Sequence, residues 1–171
     1  MENISTYSLK KRTGYLLLNS AILTFIYFVP AISHLLNIPI YLYDPMRVML
    51  FIGLIFSSKN NSYLIALSLP FFSYIISSHP SIIKSSIITV ELLLNVFLFY
   101  WLKEKFSNHF IIPMLSIVLS KIVYYLLKFI LISFAFIEGD VISTPIYFQI
   151  ITIIILNIST FGINFYRDKK I

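Results

Sequence analysis

Apolar runs separated by short polar breaks repeat along the whole chain. They cover residues 15–36, 45–57, 62–76, 81–102, 111–136 and 146–165. A helix that crosses a bilayer needs ~20 apolar residues, which the first run supplies. The second run gives only about 20 Å of helix at 1.5 Å per residue, against a hydrocarbon core of ~30 Å. It either extends into Ser58–Asn61 or sits buried among its neighbours. The breaks carry helix punctuation. Asp44-Pro45 reads as a cap followed by a proline suited to the first helical position. Lys59-Asn60-Asn61 and Ser77-Ser78-His79-Pro80 read as turns, and Glu138-Gly139-Asp140 as an acidic turn. Pro30 and Pro70 fall inside runs, and Pro30 is expected to kink its helix because it removes a backbone donor. The pattern predicts an all-α, polytopic membrane protein, a single domain of six transmembrane helices.

Composition agrees with that pattern. Of the 171 residues 58% are hydrophobic and 12% charged, whereas soluble domains hold roughly 45–50% apolar and about 25% charged residues. With no cysteine, disulfides, iron–sulfur clusters and thiolate zinc sites are excluded. His34, His79 and His109 are too far apart to form a helix-spaced metal pair. The net charge of +6 reads as topology rather than as nucleic-acid binding. Six crossings place Lys10, Lys11, Arg12, Lys59, Lys103, Lys105, Arg167, Lys169 and Lys170 on one side. Asp44, Arg47, His79, Glu138 and Asp140 fall on the other. Basic residues flanking spans stay in the cytoplasm, so both termini are expected there, in a multi-pass protein of the cytoplasmic membrane. A cleaved signal peptide is the rival reading of residues 1–33, since Ala31-Ile32-Ser33 resembles a cleavage region. The five later spans favour a retained first helix.

The fourth and fifth runs break their own pattern. Lys84, Glu91 and Asn95 return to within about 40° of one direction at 100° per residue, forming one polar stripe. Lys121, Tyr124 and Lys128 share a face of the next run. A charge at membrane depth costs at least ~2.5–3.5 kcal/mol on insertion scales, so it faces a bundle interior, a cavity or a partner. Counting helical rise puts Glu91 ~15 Å below the outer end of its span and Lys121 ~16 Å above the inner end of the next. The two meet at mid-depth on antiparallel neighbours. One reading is a buried ion pair that locks the bundle, with Lys84 and Lys128 snorkelling outward. The other is an outward-opening polar pocket floored by Glu91 and Lys121, with Lys84, Lys128, Tyr125 and Gln149 above and Asn95 and Tyr124 beside them. Two cations in excess would suit a small anionic solute. Tyr124 and Tyr125 would stack on a ring, or serve as core and lipid-facing aromatics. Asp44 reads as a helix cap, and Arg47 as a partner for Asp44 or for headgroups. Ser20 and Thr24 have a spacing that lets helices approach closely. No acidic helix-spaced pair beside a histidine and no glycine-rich phosphate loop is present, so no catalytic residue, metal or cofactor is assigned.

Six spans, both ends inside, a short hairpin FIGLIFSSKNNSYLIALSLPFFS and the polar helix HPSIIKSSIITVELLLNVFLF together resemble the substrate-binding S component of an energy-coupling factor (ECF) transporter. The resemblance implies high-affinity binding of a vitamin or other micronutrient by the later helices and outer loops. It also implies docking of the early helices on a transmembrane coupling subunit driven by two ATPase subunits. Such a chain binds and carries but is not itself an enzyme. The family's Ala-xxx-Ala docking motif is absent, and Ser20-xxx-Thr24 is the nearest match. Two other classes compete: a non-transporting membrane subunit of a cell-envelope or cell-shape assembly, and a small intramembrane enzyme. The second lacks the paired acidic clusters that would hold metal-bound diphosphate.

Overall fold

The computed structural model describes residues 2–77, 80–108 and 110–168. Ser78, His79 and His109 lie outside the described residues, and with them part of the turn expected at residues 77–80. The chain forms helix α1 (Glu2–Leu36), a 3-10 turn (Ile40–Tyr43), α2 (Pro45–Phe56), α3 (Lys59–Ser77), α4 (Ile82–Lys105), α5 (Ile111–Ser133) and α6 (Ile146–Asp168). Among the described residues there are six α-helices and no strand. Four of them are long and apolar enough to cross a membrane, over Lys10–Leu36, Ile82–Lys105, Ile111–Ser133 and Ile146–Ile163. The protein is a membrane-embedded helical bundle.

The helices sit close to the apolar runs and exceed them where helix formers continue into polar sequence. α1 reaches back to Glu2, and it continues through Pro30. α5 stops at Ser133, three residues before the apolar run ends; the backbone leaves the helix through Phe134 and turns at Ala135, which has φ 57°. A positive φ disfavours any side chain with a Cβ, so this corner is held by its hydrogen bonds, Ala135 N–H to Ile132 O and Phe136 N–H to Leu131 O.

α4 is the spine, packing along α3 on one side and α5 on the other. α1 packs on α3 and α2, and α6 on α5 and α2. α2 is the inner helix, touching α1, α3, α4 and α6. Its buried residues are Met49, Leu50, Phe51, Gly53 and Leu54, together with the charged Arg47. They meet Ile22, Ile26 and Val29 of α1, Ile65, Ala66 and Leu69 of α3, and Leu92, Val96 and Phe99 of α4. Gly53 matters for this approach: a Cβ there would stand 2.5 Å from Ile65 Cδ1. α1 is fixed to α3 by a reciprocal pair of amide hydrogen bonds between Asn19 and Asn61, each 2.9 Å. Asn61, in a turn by the sequence pattern, is thus inside the third helix and buried. Ser20 and Thr24 are exposed on the opposite face of α1.

Candidate functional site

Four charged side chains from four parts of the chain meet at the start of α2. Glu91 projects from the middle of α4 and is 4% exposed. Its Oε1 accepts from Arg47 Nη2 and lies 3.5 Å from Lys121 Nζ of α5. Lys121 Nζ is also 3.3 Å from Asp44 Oδ2, and Arg47 Nε is 3.4 Å from the same oxygen. Each carboxylate therefore contacts both cations, and two negative charges balance two positive ones. Such closure matters because an uncompensated charge away from water costs several kcal/mol.

Burial is graded across the cluster. The Arg47 side chain is 1% exposed and Glu91 4%, whereas Lys121 is 17% and Asp44 29% exposed. The cluster has a fully buried half and a partly accessible half. Asp44 does not cap α2 through its side chain. It takes a left-handed conformation, φ 51° and ψ 59°, which Asp tolerates better than most residues, and this turn aims its carboxylate at Lys121.

The cluster's position follows from α2 being short. Pro45–Phe56 is 12 residues, about 18 Å of helix. Its far end lines one cavity with Phe99, Tyr100 and Lys103 of α4, while its first turn reaches Glu91 in the middle of α4. α2 therefore begins halfway along α4, and the connection from α1 descends to meet it. The 3-10 turn in that connection packs on α6, where Tyr43 stacks edge-on against Phe148 at 4.9 Å and its carbonyl accepts from Thr152 Oγ1 at 3.4 Å. Asp44 follows directly, so α6 positions it through Tyr43.

The remaining polar residues of the two stripes fall at three levels. Asn95 lies one turn beyond Glu91, fully buried, and its Nδ2 donates to Ser120 Oγ at 3.1 Å. It joins α4 to α5 beneath the cluster, and its Oδ1 has no hydrogen-bond partner. At the level of the cluster, the rings of Tyr124 and Tyr125 lie 5.5 and 5.9 Å from Lys121 Nζ, in edge-on contact with each other at 5.3 Å. Above, Tyr125 donates to Gln149 Oε1 at 2.6 Å, and Gln149 Nε2 donates to the Thr144 carbonyl at 2.7 Å. Lys128 is buried, with its ammonium 3.0 Å from Ser143 Oγ; the α5–α6 connection folds over it instead of leaving it to reach outward. Lys84 is half-buried on α4.

Sequence reasoning brought together Glu91 and Lys121 but left out the two residues that complete their neutralisation, Asp44 and Arg47. The available signal was the brevity of the second apolar run. A helix too short to cross must start at depth, and a charge in its first turn is then a buried charge. Among the described residues no group of three or more His, Cys, Asp or Glu is placed to hold a metal ion.

No family model matches this sequence, and no curated protein or solved structure matches it either.

Proposed function

We propose that this chain is a substrate-binding membrane subunit that captures a small polar solute from the outer side, in the manner of the S component of an ECF transporter. The observation that carries the reading is the graded cluster at the start of α2. Arg47 and Glu91 form a buried foundation, while Asp44 and Lys121 present one carboxylate and one ammonium group toward the more accessible side. Ionisable groups within a membrane bundle mark solute or ion paths. Tyr124 and Tyr125 flank the ammonium, and Gln149 supports Tyr125. Because the cluster is neutral, the solute it suits best carries both signs or exchangeable hydrogen-bonding groups. A lone anion has to draw on Lys84 and Lys128 above. In this reading the chain crosses six times, with both termini in the cytoplasm, and α2 completes its crossing together with the connection before it. The exposed Ser20 and Thr24 face of α1 supports docking on a coupling subunit whose ATPase partners supply the energy.

The test starts with what the protein already holds. Purified protein is denatured, and any released small molecule is identified by mass spectrometry and re-bound to apo protein by calorimetry. A retained solute whose affinity falls at least tenfold in Lys121→Met is expected. Uptake into vesicles should require the ATPase subunits, while binding should not. Binding unaffected by Asp44→Asn and Lys121→Met rejects the site, and uptake by this chain alone without ATP rejects the importer class. Co-purification with cell-wall assembly proteins and no retained solute supports the envelope-assembly alternative instead.

A further inference from the structure

Two cavities meet at the end of α2 that lies furthest from the charge cluster. One, about 390 Å³, is framed by Lys11 and Tyr15 of α1, Lys59 at the start of α3, and Tyr100 and Lys103 of α4. Three ammonium groups from three helices converge on it, and no carboxylate is among its lining residues. The other, about 280 Å³, is a groove between α2 and α6 with walls of Val48, Ile52, Ile155 and Ile163. Ile55 and Phe56 line both, so the cationic pocket opens directly onto the apolar groove.

The groove is a consequence of how the helices close. α1 packs on α2 and α3, and α6 on α2 and α5, but among the described residues α1 and α6 do not touch. The face of α2 between them, Val48, Ile52 and Ile55 at helical spacing, is left without a helix over it. Phe56 at its end is 56% exposed. A soluble ion satisfies the lysines and leaves the groove open; a hydrocarbon chain fills the groove and leaves the lysines uncompensated. An amphiphile with an anionic head and an apolar tail meets both. Tyr15 and Tyr100 line the cationic pocket beside its lysines, as aromatic residues do at a membrane boundary, and Lys59 Nζ lies 5.6 Å from the Tyr100 ring centroid. Basic pockets between membrane helices bind anionic headgroups.

We propose that this is a site for one anionic glycerophospholipid, its phosphodiester on Lys11, Lys59 and Lys103 and an acyl chain along the α2–α6 groove, closing the gap between α1 and α6. The headgroup pocket lies at the far end of α2 from the charge cluster, the other end of the groove reaches Tyr43 and Thr152 beside it, and the site does not depend on the function proposed for the cluster. Each lysine near an anionic headgroup contributes roughly fivefold to binding, so losing three should lower the preference for anionic lipid about 100-fold.

The test uses the full-length protein in detergent, titrated with phosphatidylglycerol, phosphatidylcholine or inorganic phosphate, and read by native mass spectrometry and by melting temperature. The proposal expects one phosphatidylglycerol bound and a raised melting temperature, with no effect of phosphatidylcholine or of millimolar phosphate. The triple variant Lys11→Gln/Lys59→Gln/Lys103→Gln should lose this, and Lys105→Gln, which removes one charge outside the pocket, should not. Ile52→Trp, which fills the groove and keeps every lysine, should weaken lipid binding as well. The triple Arg variant keeps the charges and should bind, which separates loss of the site from loss of the fold. Equal binding of phosphatidylcholine, or equal losses in Lys105→Gln and the triple Gln variant, overturns the site. Stabilisation by inorganic phosphate alone assigns the lysines to a free anion and overturns the lipid.

Discussion

The sharpest consequence of the graded cluster is that its four members should not be equivalent in stability. Consider Arg47→Met. The guanidinium is 1% exposed and its main partner Glu91 4%, so its loss leaves Glu91 facing only Lys121, 3.5 Å away. Lys121 is itself shared with Asp44 at 3.3 Å, and two carboxylates now compete for one ammonium in a dry setting. Removing one partner of a buried pair costs roughly 3–5 kcal/mol. Glu91→Gln leaves the reverse imbalance, Arg47 with Asp44 alone, and should cost a similar amount. The double variant Arg47→Met/Glu91→Gln leaves Asp44 and Lys121 as a neutral pair. Its loss should be smaller than the sum of the singles by roughly 1–3 kcal/mol, within the range seen for residues in one network.

Lys121→Met and Asp44→Asn should behave differently. Lys121 is 17% and Asp44 29% exposed, so the charge left behind is less enclosed, and Arg47 still contacts both carboxylates in Lys121→Met and Glu91 in Asp44→Asn. Roughly 1–2 kcal/mol is expected for each, at the low end because partly wetted pairs contribute less than dry ones. The assay is thermal unfolding in detergent, followed by loss of the monodisperse peak in size-exclusion chromatography, for the four singles and the one double variant. Arg47 and Glu91 variants should fall well below those of Asp44 and Lys121, with the double above the sum of its parts. Equal losses for all four would refute the buried and accessible halves, and strict additivity would refute the Arg47–Glu91 contact.

Other expectations follow from single contacts. Asn19→Leu strips Asn61 of its reciprocal partner inside the bundle, and a buried amide left unpaired costs about 1–3 kcal/mol; Asn19→Leu/Asn61→Leu should recover part of that, and no recovery would show that the two amides do not pair. The absence of native cysteine allows topology to be read from Glu138→Cys, which should react with an impermeant maleimide only from the side opposite the termini; Gly139 is the poorer probe, because its φ of 109° strains any side chain.

How much of this was legible in the sequence depends on the periodicity available. Within long helices, 1.5 Å per residue converts a position into a depth, and that arithmetic was sufficient to bring Glu91 to Lys121. It fails where the chain leaves the helix. The sequence places the connection after α1 at the outer surface, with Asp44 as a cap and Arg47 as its partner or a headgroup contact; the Arg47–Asp44 pair is present at 3.4 Å, but the connection descends and carries both to the level of Glu91. The same applies to Lys128. Its depth was legible, but its burial is set by Ser143 in a connection with no period of its own. Asn61 reads as a turn residue because Lys-Asn-Asn is turn-like, yet α3 begins at Lys59 and places Asn61 inside the bundle, opposite Asn19. Residues on long regular helices were therefore placed by their own sequence, and residues near helix ends only by what packs against them.

This difference bears on why the charges persist at all. Replacing a buried ion pair with well-packed apolar residues is often neutral or stabilising, so Arg47 and Glu91 are a poor solution if the bundle needs only cohesion. They become a good one if α2 must begin at mid-depth. A helix start leaves backbone N–H groups unpaired. The chain ahead of it is also non-helical backbone within the bundle, which membranes tolerate only where it is buried in protein or lines a cavity. Here Arg47 and Val48 N–H groups are satisfied by the Asp44 carbonyl at 3.0 and 3.2 Å, and the Asp44 carboxylate is held by Lys121 across the bundle. The charges fix where the descending connection ends and where α2 begins. An apolar core would fill the same space but would not specify that register. The expected sign of such a role is an apolar variant that melts no lower than wild type yet loses the solute, because Asp44 and Lys121 are no longer held in place. Arg47→Met/Glu91→Leu is the variant to make: wild-type melting with unchanged solute affinity would show that the buried pair does not position the outer two.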